Sequence, residues 1–145
     1  MKLRVAWVRS GGARSAAIEE LAAQYAKRIC AFATLDVQEF KSEAALINSS
    51  EKTGAKLVAL DSRGRQYSSE EFARFIRRLR DAGAREAVFA VGPADGFSET
   101  ARSAAAAVVS LGPMTLPHEL ARVVLLEQIY RAFTILARHP YHLGH

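Results

Sequence analysis

The sequence predicts an α/β fold: a mostly parallel sheet flanked by helices. Three observations predict it. Short β-rich runs alternate along the chain with longer segments whose apolar residues recur at helical spacing. One run, Lys56-Leu-Val-Ala-Leu60, is apolar at consecutive positions, as expected of a strand covered on both faces. A capping-box pattern, Ser68-x-x-Glu71, marks a helix start between two such runs.

Each element has its own signal. Lys2 to Val8 alternates and reads as the first strand, broken by Ser10-Gly-Gly12. Ser15 to Ile29 is alanine-rich, with Ile18, Leu21, Ala22 and Tyr25 at helical spacing. Thr34 to Phe40 alternates again and is the second strand. Ser42 to Lys52 is a polar helix ended by Gly54. Lys56 to Leu60 is the third strand, and Asp61-Ser-Arg-Gly-Arg-Gln66 reads as a loop. The capped helix from Ser68 ends near Asp81-Ala-Gly83. Glu86 to Val91 is the fourth strand, followed by the loop Gly92-Pro-Ala-Asp-Gly96. Ser98 opens a further alanine-rich helix, and Val108 to Leu111 is the fifth strand. After the loop Gly112 to Pro117, a last helix starts at Pro117 or His118 and runs to about Ala137. Pro140 stops any continuation, so the tail His139-Pro-Tyr-His142 is expected to stand out as a short extended arm. Such an arm suits a site completed by the C-terminus or by a partner subunit.

Composition narrows the class. A chain of 145 residues is one domain, 1–145, and half its residues are apolar, so it can bury a core. No repeat, low-complexity tract or linker divides it. No apolar stretch approaches the roughly 18 residues of a membrane span. The N-terminus turns polar too soon for a signal peptide. A cytoplasmic protein without membrane association is expected. The single cysteine, Cys30, rules out an internal disulfide and is expected as a small buried hydrophobe. No ligand cluster calls for a metal. The net charge of +5 comes mostly from arginine, which suits phosphate. On the helix after Ser68, Arg74, Arg77 and Arg78 share a face; a solvated face and an RNA-backbone contact both account for them.

In an open parallel sheet, ligands bind outside the carboxyl ends of the strands. Three ends stand out: Leu60-Asp61, the Gly92 loop and the run Leu111 to Pro117. Neither G-x-G-x-x-G nor G-x-x-x-x-G-K-[ST] is present, and G-x-S-x-G is missing too. Dinucleotide, P-loop and serine-hydrolase chemistry therefore lose weight. The last helix is apolar almost all round, which calls for cover on several sides and makes a second subunit a natural partner. His118 at its start is either a plain cap or a functional group.

Thr115-Leu-Pro-His118, Arg122-Val123, Tyr130-Arg-Ala132 and His139-Pro-Tyr-His142, in that order, resemble the signature of the ribosomal RNA large-subunit methyltransferase H family. That family belongs to the SPOUT methyltransferases. The resemblance covers the whole chain in layout and its last quarter in motif. It implies a C-terminal trefoil knot, which no pattern in the sequence would have proposed. It implies S-adenosylmethionine as methyl donor, no metal, a homodimer, and large-subunit rRNA in the assembled ribosome as partner. The implied reaction methylates N3 of a pseudouridine. The implied cofactor-binding residues are Leu60, Gly92, Leu111, Gly112, Pro113, Met114, Thr115, Leu116 and Pro117. The candidates for orienting or deprotonating the base are His118, Tyr141 and His142, with Arg131 steadying phosphate or developing charge. The chain departs from the family pattern at Pro93, after Gly92, and at Leu143, where an arginine is usual and His145 is the nearest substitute. A second reading in the same class is a SPOUT enzyme acting on tRNA or on a ribose hydroxyl, and the departures keep a third in view, a ribosome-binding assembly factor without catalysis.

Overall fold

The computed structural model describes residues 1–12 and 14–143. Five strands form one parallel sheet: β1 (Lys2–Val8), β2 (Leu35–Phe40), β3 (Lys56–Gln66), β4 (Glu86–Val91) and β5 (Ala107–Ser110), in the order β2-β1-β4-β3-β5. The helices are α1 (Ala16–Ile29), α2 (Glu43–Thr53), α3 (Ser69–Asp81), α4 (Glu99–Ala104) and α5 (His118–Leu136).

Alternation along the central strands builds two cores. Leu3, Val5 and Trp7 of β1, Val58 and Leu60 of β3, and Phe89 of β4 face one side, with α5 residues such as Leu125, Leu126 and Ile129. Ala6 and Val8, Leu57 and Ala59, and Val88 and Ala90 face the other, against Leu46 of α2 and Ala101 of α4. The continuous apolar run Leu57–Leu60 is thus explained by cover on both faces.

Serine starts the first four helices. The hydroxyls of Ser15, Ser42, Ser68 and Ser98 accept the amides of Ile18, Ala45, Glu71 and Ala101 at 3.4, 3.1, 3.1 and 3.1 Å. The last helix begins differently. Pro117 stands at its cap with no side-chain bond, so His118 is a first-turn residue and not a cap.

Four expectations need correction. β3 does not stop at Leu60. After Leu60 pairs with Val109 the register slips, and Arg65 and Gln66 pair with Val109 and Ser110. The polar run 61–66 reads as a loop because the bulge destroys its alternation. Gly64 makes the return possible. A Cβ there would lie 2.6 Å from the backbone carbon and oxygen of Val108. Cys30 is exposed, because it falls at the end of α1, beyond the buried Ile29. β5 starts and ends one residue earlier than expected, at Ala107 and Ser110.

The tail is not an extended arm. Pro140–His142 forms a 3-10 turn folded back on α5. Tyr141 sets its ring 4.6 Å from that of Tyr130, edge-on, and its hydroxyl donates to Glu127 Oε1 at 3.1 Å. Proline stops the α-helix but opens a turn readily, since its fixed φ suits the first position. Gly144 and His145, the latter offered above as a replacement for the arginine, lie outside the described residues.

Candidate functional site

The carboxyl ends of β3, β4 and β5 lie side by side. Leu60 is level with Val91 of β4 and with Val109 of β5. Their loops enclose a cavity of about 370 Å³ together with the first turn of α5. Its wall includes Leu60, Gly92, Leu111, Gly112, Met114, Thr115, Leu116 and His118. Pro113 and Pro117 flank that wall without forming it, and both are exposed.

Two features shape the cavity. Gly92 lies flat against Phe97: a Cβ would come within 2.9 Å of the ring. The 92–96 loop is also latched to β3. The buried Asp61 carboxylate accepts Arg63 N, Nε and Nη2 at 3.0, 2.8 and 2.9 Å and the Phe97 amide at 3.1 Å. Arg63 also donates to the Phe97 carbonyl at 2.9 Å, and Arg102 to the same oxygen at 2.6 Å. The hydrogen bonds from Arg63 pull the Asp61 pKa down to about 2, against the opposing effect of burial. Asp61 is therefore a neutralised latch and not a free acid in the cavity. Arg63 went unnoticed in the sequence because nothing local marks residues 61–66 as folded.

His118 is the ionisable imidazole on the cavity wall. Burial, and then the charge of Arg122, lower its pKa below the ordinary histidine value, so it is neutral at pH 7. The Val8 backbone opposes that shift, and Nε2 is buried and has no partner. A neutral imidazole has one donor and one acceptor nitrogen, so Nε2 is able to present a lone pair.

Arg122 lies one turn beyond His118 on α5 and is 3% exposed. It donates to Glu19 Oε1 at 2.5 Å, and its guanidinium sits 4.1 Å from the Trp7 ring centroid. The sequence signalled it through Arg122-Val123 in the family signature, and its i, i+4 spacing from His118 puts both on one helix face.

The other three candidates lie elsewhere. Arg131, Tyr141 and His142 do not line the cavity of their own chain. His118 and Arg131 are thirteen residues apart on one helix, roughly 20 Å at 1.5 Å per residue. Arg131 is held by Glu127 Oε1 through Nε and Nη2, at 2.9 and 2.6 Å, and lies 5.1 Å from the Tyr141 ring centroid. Burial, and then the Tyr25 hydrogen bond and the Glu127 charge, raise the Tyr141 pKa far above its ordinary value. The phenol stays protonated at neutral pH, so it can donate but not accept a proton. His142 Nδ1 is buried without a partner.

Among the described residues no cluster of three metal-binding side chains occurs, and no helix is long and apolar enough to cross a membrane.

A family model described as "Predicted SPOUT methyltransferase" matches residues 1–142. A relative from Koribacter versatilis (strain Ellin345) named "Ribosomal RNA large subunit methyltransferase H" is 47% identical, over 100% of both chains. One of the same name from Trichlorobacter lovleyi is 43% identical, over 98% of this chain and 99% of that protein. The structure of a probable methylase family protein from Haemophilus influenzae Rd KW20 superposes with a TM-score of 0.58 at 11% identity, covering 96% of this chain and 69% of that one. At that identity it speaks for the fold alone. The match over residues 1–142 and the two full-length likenesses place this chain among the SPOUT methyltransferases, in the ribosomal RNA large subunit methyltransferase H family.

Proposed function

We propose that the protein methylates N3 of a pseudouridine in large-subunit ribosomal RNA, with S-adenosylmethionine as donor. The observation that carries this reading is a neutral, half-buried imidazole whose buried Nε2 has no partner, set in the wall of a cavity made of strand-end loops. The names of the relatives supply the RNA.

The cavity suits the donor. Leu60, Leu111, Met114 and Leu116 offer apolar surface to an adenine ring, and the backbone around Gly92 and Gly112 offers amides and carbonyls to its polar edge. Among the described residues the one arginine on the wall is Arg63, already committed to Asp61, so none of them sets a free cation there to repel a sulfonium. When bound, S-adenosylmethionine supplies an electrophilic methyl group. His118 Nε2 would take the imide proton from N3, freeing the N3 electron pair to accept the methyl group that S-adenosylmethionine would supply as it becomes a neutral thioether. The proton on His118 then passes to water.

Because Arg131, Tyr141 and His142 sit far along α5, we assign them to the site of a partner subunit in a homodimer. A row of exposed or half-buried apolar residues, Leu116 just before α5 and Leu120 and Val124 on it, supports that arrangement. Tyr141, kept protonated, would orient or stack on the base, and Arg131 would face developing charge. The exposed Arg74, Arg77 and Arg78 of α3 suit phosphate. The tight backbone approach at Gly64 is what a chain threaded into a trefoil knot needs. The enzyme would act in the cytoplasm, on the ribosome, without a metal.

The test is methyl transfer to purified large subunits that lack the modification, followed by nucleoside mass spectrometry. N3-methylpseudouridine is the expected product. A methyl group on any other nucleoside, or none, would sink the reading.

A further inference from the structure

A second hollow also reaches His118. It lies between the loop after β1 and the first turns of α5, with a volume of about 170 Å³. Trp7 and Arg122 form its floor, and Arg9 and Arg14, both bonded to Glu39, stand at its mouth. Among the described residues, His118 is the one wall residue that this hollow shares with the larger cavity.

Two polar atoms at this junction are buried and unpaired: His118 Nε2 and Arg122 Nε. Native structures rarely leave such atoms unsatisfied, and a specific orphan calls for an explanation. Here the two orphans belong to residues one helical turn apart in the wall of the same hollow. Arg122 Nε is a donor only, since a guanidinium accepts nothing. The unpaired His118 Nε2 can serve as the acceptor of a neutral imidazole. A donor beside an acceptor is complemented by a carbonyl oxygen beside an N–H. The imide edge of a uracil-type ring presents that pair.

Charge separates a base from a phosphate. Three arginines line the hollow, Arg9, Arg14 and Arg122, and three carboxylates, Glu19, Glu39 and Glu119. Their formal sum is zero, so the hollow is no trap for an anion. It suits a neutral ring taken out of its stack.

We propose that this hollow is the subsite for the extruded target base, with Arg122 Nε–H donating to a ring carbonyl and His118 Nε2 meeting the adjacent imide N–H. The assignment rests on the methyltransferase reading. It gives Arg122 a direct part: its charge steadies the carbonyl oxygen as the imide proton leaves. It also gives His118 its position, at the junction where the hollow meets the larger cavity and the base can reach the donor.

Gly11 provides the test. It lines this hollow and not the larger cavity, and a Cβ there would meet nothing within 4 Å. Gly11→Phe should therefore fill the mouth without straining the fold. Expected is a fall of about tenfold or more in methyl transfer to unmodified large subunits, with S-adenosylmethionine affinity by calorimetry within about twofold of wild type. In parallel, Arg122→Lys keeps the charge and loses the Nε–H. It should lower kcat by roughly tenfold or more while KM for the subunits changes little. Wild-type turnover in Gly11→Phe would overturn the assignment, and so would a matching loss of cofactor affinity. If Arg122→Lys fails to fold, the Gly11 variant still decides. A wild-type protein that binds no S-adenosylmethionine or transfers no methyl group would instead sink the underlying reading.

Discussion

His118 is neutral because burial and the Arg122 charge both oppose its protonation. In the unfolded chain it titrates near 6.5, and in the folded protein lower. Between those two values the unfolded chain binds more protons, so protonation of this residue weakens the fold as pH falls below about 6.5. The same shift keeps the base competent below that pH. The acid limb of kcat should therefore fall below 6.5, and a limb centred above 6.5 would contradict the role. Asp61 titrates in the opposite sense. Its pKa drops from 3.8 to about 2, so its contribution is complete above pH 3.8 and is lost as pH falls towards 2. Asp61→Asn keeps the shape but leaves Arg63 without its counter-charge. It should cost about 2 kcal/mol in urea unfolding. It should also weaken S-adenosylmethionine binding by calorimetry, because the Gly92–Gly96 loop is held through the same carboxylate.

At the scale of elements, the bulged β3 is the unexpected part. A polar segment, 61–66, earns its strand pairing only because Gly64 lets the chain pass against the β5 backbone. Gly64→Ala should destabilise by about 1–3 kcal/mol, since neither backbone can retreat from a Cβ at 2.6 Å. An unchanged midpoint in chemical unfolding would show that the pair separates more easily than these contacts imply. Helix starts are the opposite case. Four serines cap four helices through bonds within three residues, so local sequence was enough to place them. The tail illustrates the limit. Proline marks where α5 must stop, but the turn that follows is set by Glu127 and Tyr130, residues on another part of the chain surface.

At the scale of the whole molecule, α5 joins both halves of the proposed chemistry. Its first turn carries His118 and Arg122, and its far end holds Arg131 and, through Glu127, Tyr141. One chain keeps these groups apart; a second, antiparallel α5 would bring them together. Leu120→Glu places a charge in the exposed apolar row and should shift sedimentation towards the monomer. Methyl transfer should fall with dimer content while circular dichroism is unchanged. Full activity in a monomer would refute the shared site.

By itself, the sequence determined the order of strands and helices, the two-sided burial of β3, and the loops that form the cavity. Those follow from periodicity and local caps, which act between near neighbours. It also placed His118 at the start of α5, but left open whether that residue was a cap or a reactive group. Tertiary structure decided the rest. It paired Asp61 with Arg63 and Phe97, turned the polar run after Leu60 into strand, brought Trp7 and Glu19 to Arg122, and folded Tyr141 onto Tyr130. Apart from Asp61 with Arg63, these contacts join residues at least ten positions apart, and their energies depend on burial, which no local pattern encodes.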